Sequence, residues 1–279
     1  KMAICDHFTK NQGFSKEKAL MIKKAGVGSI RDEIRWTDFE FNGIMEPLIY
    51  TKGWINLMGE TEQNMLAILG FYHPDVIDEQ FPHSTDTMAE FTDYIRAVLE
   101  YTKDMDINYE LWNEYNLNNE RYGTSYEDYV KMAKVVYPIV KEINPDAKLY
   151  VLATGNNSTV REYVEECFKL GIGDYCDGVS IHPYNITEAP DTKEALSDVD
   201  DIVLLMEKYG LSDKELIFSE YGWSSTLKYA NEDLQANYTI QGAAINQDKV
   251  DKIYWYNLQE KTVAGMTDQE LHFGFVRGW

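Results

Sequence analysis

Residues 108–116 read NYELWNEYN. The stretch has the shape of a short strand that ends in an Asn-Glu pair, Asn113-Glu114, and runs at once into loop. Far downstream, residues 217–223 read IFSEYGW and repeat the design: an apolar strand, then Glu220, then an aromatic-glycine turn. A carboxylic acid at the carboxyl end of a strand is where a β/α barrel keeps its chemistry. The remaining chain supplies the strands and helices that would close such a barrel.

In order, the first strand is MAIC (2–5), followed by Asp6-His7-Phe8. A helix is expected over 15–25, closed by Gly26 in the usual C-terminal position. The second strand is GSIR (28–31), a short helix covers 54–62, and the third strand is MLAILG (65–70). Thr87-Met88-Ala89-Glu90 reads as a capping box within a helix whose Met88, Phe91, Tyr94, Ile95 and Val98 recur at helical spacing. The fourth strand is 108–112. A helix over 125–143 then presents Tyr129, Val130, Ala133, Val136, Tyr137 and Val140 on one face. Strand 148–153, helix 160–170, strand 177–181, a helix through Val199, Ile202, Val203 and Met206 stopped by Gly210, strand 215–219, helix 234–245 and strand 252–256 complete the count. Strand ends fall roughly 25 to 45 residues apart, the spacing of βαβ units and not the 8–12 of an all-β sandwich. No linker or low-complexity tract divides the chain. The prediction is an α/β fold, a single-domain (β/α)8 TIM barrel over residues 1–279. A regular eighth helix is missing, because residues 259–279 are loop-like.

With 279 residues, 44% of them hydrophobic, the chain can bury one large core. Its net charge of -21 argues against nucleic acid, which wants a basic patch, and against anionic membrane surfaces. No run of 18 apolar residues predicts a membrane span. The 20 Tyr and 6 Trp suit a cleft with stacking platforms. Cys5, Cys167 and Cys176 allow at most one disulfide, and Cys5 reads as a buried small hydrophobe. The chain opens on its first strand with no signal peptide, which leaves secretion open. Nothing fixes an oligomeric state.

Arg31, His73, Asn113, Glu114, Asn156, His182, Glu220 and Trp255 all fall at or near carboxyl ends of predicted strands. Two carboxylic acids at two strand ends are what glycosidic bond cleavage requires: one protonates the leaving oxygen, the other attacks the anomeric carbon or activates water. Strict alternation puts Asn113 and Glu114 on opposite faces, so the strand end must twist or bulge for both to reach one cleft. Glu110 shares the parity of Glu114 four residues deeper, and is expected inside the barrel paired to a cation such as Arg31. The five histidines form no H-x-H or H-E-x-x-H pair, so no metal site is predicted. No strand ends in a Schiff-base lysine, no glycine-rich phosphate loop is present, and no cofactor is expected.

ELWNEYNL resembles the WNEP acid/base motif of clan A glycoside hydrolases, the "4/7" barrels, and FSEYGW resembles their nucleophile strand. SIRDEIRWTDFE (29–40) is similar to their second strand and the W-x-x-x-E after it. SIHPY and YWYNLQ resemble the sixth and eighth strand ends, and the tail HFGFVR (272–277) a stretch of family 39-like proteins. The resemblance spans almost the whole chain in the right order. One departure is Tyr115, where the family usually has Pro, which puts the shape of the following turn in doubt but not the chemistry.

The resemblance implies a retaining glycosidase. Glu114 would be the general acid/base, its pKa raised by partial burial and a neighbouring carboxylate. Glu220 would be the nucleophile, kept ionised by donors such as Arg31 and Tyr184. Asn113 would bind the substrate 2-hydroxyl. His182 would orient a carboxylate or bind sugar, His73 is a weaker candidate of the same kind, and Trp255 would be the floor under the sugar ring. Trp223 reads as platform or packing and Trp36 as packing. The carbohydrate partner would be a xyloside, iduronide, galactoside, arabinopyranoside or bacterial exopolysaccharide. Loops 38–53, 116–124, 185–192 and 261–269 would decide endo against exo cleavage. A non-catalytic glycan-binding barrel and a transglycosylase are the rival readings. The resemblance favours a secreted or cell-surface protein, and an acid optimum follows from a proton held on Glu114.

Overall fold

The computed structural model describes residues 2–8, 15–71, 73, 81–82, 84–118, 125–185, 188–226, 231–260 and 268–276. Eight strands close into a barrel: β1 (Met2–Cys5), β2 (Ser29–Arg35), β3 (Asn64–Gly70), β4 (Ile107–Leu111), β5 (Leu149–Gly155), β6 (Gly178–His182), β7 (Glu215–Tyr221) and β8 (Lys252–Tyr256). Each pairs in parallel with its sequence neighbours, and β8 closes on β1. Seven helices follow the first seven strands: α1 (Lys16–Lys24), α2 (Ile49–Glu60), α3 (Thr85–Thr102), α4 (Tyr126–Ile143), α5 (Val160–Lys169), α6 (Lys193–Lys208) and α7 (Glu232–Asn246). After β8 the described residues hold only the single turn Asp268–Leu271. This is the expected (β/α)8 barrel, with no regular eighth helix among the described residues.

Local chemistry sets the element ends. Ser15, Ser125, Thr192 and Asn231 cap α1, α4, α6 and α7 by accepting a backbone N–H of the first turn. The expected capping box at Thr87 lies one turn too late: the cap of α3 is Ser84, whose Oγ accepts from Thr87 N. Gly26, Gly171 and Gly210 take positive φ just past the ends of α1, α5 and α6. Strand β2 runs four residues beyond the predicted Arg31. Its Asp32 and Glu33 look like loop chemistry but are buried.

Strand alternation divides the core in two. Ala3, Cys5, Leu66, Tyr150, Ile217 and Tyr254 fill the barrel interior. The opposite faces of the strands pack on the helices in a larger core with Ile30, Ile34, Ala67, Leu69, Leu111, Val151 and Phe218. Full burial of each Ile, Leu, Val or Phe side chain among them stabilises by about 1.5–3 kcal/mol. All three cysteines are free and buried. No helix among the described residues is long and apolar enough to cross a membrane.

Candidate active site

The carboxyl end of the barrel gathers its polar side chains around Arg31. This guanidinium is fully buried on β2. Its Nη1 donates to Glu220 Oε1 at 2.6 Å, its Nε to Glu110 Oε2 at 2.6 Å and its Nη2 to Asn113 Oδ1 at 2.7 Å. Glu110 therefore sits inside the barrel against Arg31, as its parity requires. Arg31 itself has no path to a substrate, which corrects the expectation that it binds one: it lies beneath the site and holds the side chains that face the cleft.

After Leu111 the backbone departs from strand geometry. Trp112 and Glu114 take φ of 65° and 48°, a left-handed conformation that costs roughly 1–2 kcal/mol per residue. These two reversals turn both Asn113 and Glu114 toward the cleft. The loop is fastened by Glu114 N donating to Ala153 O at 2.9 Å. Trp112 and Tyr115 pack with Phe81 at 5.1 and 4.8 Å. Tyr115, in place of the usual proline, is thus an anchor of the loop, with Tyr129 at 5.1 Å on its other side.

Next door, β5 shifts register against β6 between Leu152 and Thr154. That irregularity delivers Gly155 beside the acid. A Cβ at Gly155 would lie 2.9 Å from both Cδ and Oε1 of Glu114, so only glycine lets the carboxyl rest there. Asn116 secures the approach: its Oδ1 accepts from Gly155 N at 3.0 Å and its Nδ2 donates to Gly155 O at 2.9 Å. Neither residue was singled out from the sequence. The Asn three residues after Asn113 was the available signal.

His182, at the end of β6, links the two carboxylates. Its Nδ1 lies 2.9 Å from Glu114 Oε1 and 4.0 Å from Glu220 Oε2. Its Nε2 lies 3.0 Å from Ser219 Oγ and 3.4 Å from Arg31 Nη2. A guanidinium can only donate, so the proton of a neutral ring belongs on Nδ1, aimed at Glu114. Tyr184 OH donates to Glu220 Oε2 at 3.1 Å. Burial and the Glu220 charge push that phenol well up, so it stays a donor.

Burial pushes the Glu220 carboxyl up. The charges of a protonated His182 and of Arg31 act against it, and the net holds it well below the usual carboxylate range, at about 2. The Arg31 part of that effect persists at every working pH, because a guanidinium stays charged.

Three aromatic and imidazole candidates are buried side chains. Trp255 is buried on the outer face of β8, against Tyr221 at 5.4 Å and Phe275 at 6.4 Å, and is packing, not a sugar floor. The β8 side chain over the interior is Tyr256, half-buried, with Tyr184 at 6.5 Å and Phe273 at 5.5 Å. Trp223 is fully buried, and its Nε1 donates to Asn185 O at 3.1 Å and Glu188 O at 3.0 Å. It ties down the loop after β6 and offers no platform. His73 is buried in the wall, its Nε2 3.2 Å from Glu40 O and its ring edge-on to Trp36 at 6.0 Å. Its neighbours Tyr72 and Pro74 lie outside the described residues. Trp36 packs on Tyr94 at 5.7 Å and donates to Glu40 Oε2 at 2.7 Å, so the W-x-x-x-E pattern is a hydrogen bond.

The fold also brings together His7, Asp32 and Glu33, whose ligand atoms lie within 4.8 Å of one another, as do those of Glu114, His182 and Glu220. The sequence patterns pointed to neither group as a cation site, because each joins residues distant in sequence: His7 follows β1 whereas Asp32 and Glu33 lie on β2, and Glu114, His182 and Glu220 come from three different strand ends. The tail returns over the barrel mouth: Val276 N donates to Leu258 O at 2.9 Å and Glu260 N to Val276 O at 3.0 Å. Arg277 and loop residues 119–124, 186–187 and 261–267 lie outside the described residues.

The model of the family described as Cellulase (glycosyl hydrolase family 5) matches residues 7–261. None of the curated protein sequences matches. Among solved structures, a family 39 glycoside hydrolase from Bacteroides cellulosilyticus WH2 superposes with a TM-score of 0.81 at 22% identity, over 99% of this chain and 59% of that one. A monomeric beta-xylosidase from Caulobacter crescentus CB15 gives 0.77 at 15% identity, over 99% and 64%. The GH39 enzyme from Xanthomonas axonopodis pv. citri gives 0.74 at 14%, over 99% and 62%. At such identities these likenesses show the fold. The chain spans about three fifths of the length of these proteins.

Proposed function

The chain belongs to the cellulase family, glycosyl hydrolase family 5, and on that premise we propose that residues 1–279 form a retaining glycosidase domain. It cuts O-glycosidic bonds of an oligo- or polysaccharide by double displacement. One observation carries the reading: carboxylate oxygens of Glu114 and Glu220, from β4 and β7, lie within 4.8 Å of each other. Retaining enzymes hold their carboxyls about 5–5.5 Å apart, whereas inverting enzymes need about 6.5–9.5 Å to admit water.

Glu220, ionised beside Arg31, attacks the anomeric carbon as the glycosidic bond breaks. The leaving oxygen takes the proton of Glu114. A water then gives its proton to Glu114 and displaces Glu220 from the sugar. Because His182 Nδ1–H occupies Glu114 Oε1, the transferable proton sits on Oε2. Asn113, oriented by Arg31, is placed to meet the 2-hydroxyl, and Tyr256 to lie under the ring. A xyloside or another neutral glycoside suits the acidic chain better than a polyanionic glycan.

The test is the configuration of the first product. Wild type is offered a panel of nitrophenyl β-glycosides, and the released sugar is followed by proton NMR before mutarotation. The β-anomer is expected first. An α-anomer would refute the retaining mechanism. Silence across the panel together with glycan binding in a pull-down would favour a binding barrel.

A further inference from the structure

Arg31 faces two carboxylates, and only one of them is in the cleft. Glu110 is fully buried, three residues before Asn113 and in the strand that leads to Glu114. Its Oε2 takes Arg31 Nε at 2.6 Å and Arg31 Nη2 at 2.5 Å. Its Oε1 has no hydrogen-bond partner among the described residues. A buried carboxylate with an unsatisfied oxygen is a poor stabilising device, so its presence asks for another account.

The charges of the nest supply one. Ionisable groups around it include Cys5 on β1, His7 after β1, Glu114 after β4, His182 on β6, Tyr184 after β6, Tyr254 and Tyr256 on β8 and Tyr129 on α4. Burial pushes the thiol and the phenols well up, so they stay neutral. Arg31, Glu110 and Glu220 are the charged groups joined by direct ion pairs. In the free enzyme they sum to one negative charge. When Glu220 bonds to the anomeric carbon its charge is consumed and these three sum to zero, while the departing oxygen takes the Glu114 proton and leaves the negative charge on Glu114, outside the Arg31 ion pairs.

We propose that Glu110 is a positioning residue for the nucleophile: it holds the Arg31 fork and, by neutralising it, keeps Arg31 from over-stabilising the Glu220 carboxylate. Without that negative charge the nest would be neutral before attack and positive after it. Formation of the glycosyl-enzyme would then be disfavoured and its breakdown favoured. This inference rests on the double-displacement reading above.

The experiment compares wild type, Glu110→Gln and Glu110→Asp on nitrophenyl and dinitrophenyl glycosides of the sugar that wild type turns over. Folding of each variant is checked by circular dichroism and Tm. Glu110→Gln keeps the shape and removes the charge. Its kcat/KM is expected to fall on the order of 10- to 100-fold, by the size of a lost charge interaction at low polarity. Its kcat on the dinitrophenyl glycoside, set by breakdown of the intermediate, is expected to hold or rise. Glu110→Asp keeps the charge and should retain the wild-type balance between the two steps, with kcat/KM within about fivefold. Glu110→Gln within twofold of wild type in kcat/KM overturns the proposal and leaves the glycosidase reading standing. So does an equal loss of both parameters in the Gln and Asp variants, which marks a purely structural role. A wild type that is silent on every glycoside and is not labelled by a 2-fluoro glycosyl fluoride in intact-mass analysis removes the glycosidase reading, and the inference with it.

Discussion

Gly155→Ala isolates the geometry of the acid. The added Cβ would lie 2.9 Å from Cδ and Oε1 of Glu114 and 2.5 Å from Leu117 Cδ1. Gly155 is not among the residues at positive φ, so alanine meets no backbone strain there. Leu117 is exposed and can swing away. Glu114 cannot, because His182 and the fastened loop hold it from the other side. Carbon atoms settle near 3.5–4.0 Å, so the carboxyl must move by roughly 0.5–1 Å. Misplacement of a catalytic group by about 1 Å costs on the order of 10²-fold. The loss should follow the need for proton donation: about 30- to 100-fold in kcat/KM on alkyl glycosides, and under about threefold on dinitrophenyl glycosides, whose leaving group needs no acid. The assay is a series of aryl and alkyl glycosides of graded leaving-group acidity. A loss of equal size across the series, or none, would refute the packing argument.

Removing the Tyr184 hydroxyl takes a donor from Glu220. Tyr184→Phe should therefore shift the acid limb of kcat/KM upward by about one pH unit, since a hydrogen bond to a charged group is worth about 1.5–3 kcal/mol. Glu220 is depressed from 4.5 to about 2 in the folded chain. Its contribution to stability is thus present above 4.5 and lost as pH falls toward 2. Urea midpoints between pH 5 and 3 should fall less steeply for Glu220→Gln than for wild type. Asn116→Ala abandons two buried backbone bonds at Gly155 and should destabilise by about 1–3 kcal/mol in urea unfolding, with losses graded by leaving group as for Gly155→Ala. Tyr256→Ala should raise KM about tenfold with Tm little changed, while Trp255→Phe should lower Tm and leave KM alone.

The eight strands were legible because each is a short apolar run between helix stops. Glu114 and Glu220 were legible because a carboxylate at an apolar strand end is chemically out of place. Three features hid for physical reasons. Tyr254, Trp255 and Tyr256 are all aromatic, and both faces of β8 are covered, so no alternation told inside from outside. Asp32 and Glu33 made β2 look finished at Arg31, although burial with partners is where they end up. The reversal at Trp112 and the register shift at Ala153 arise from tertiary fit, and neither residue type favours a positive φ. That strand end had to bend was legible from Asn113 and Glu114. How it bends was not.

The assignment of Glu220 as nucleophile and Glu114 as acid/base is tested most directly by chemical rescue. Glu220→Ala is incubated with an activated dinitrophenyl β-glycoside and sodium azide, and the product is identified by NMR. The account predicts a negligible rate without azide, and with it a glycosyl azide of inverted, α configuration. A β-glycosyl azide from Glu220→Ala, or a Glu220→Ala variant as active as wild type without azide, would contradict it.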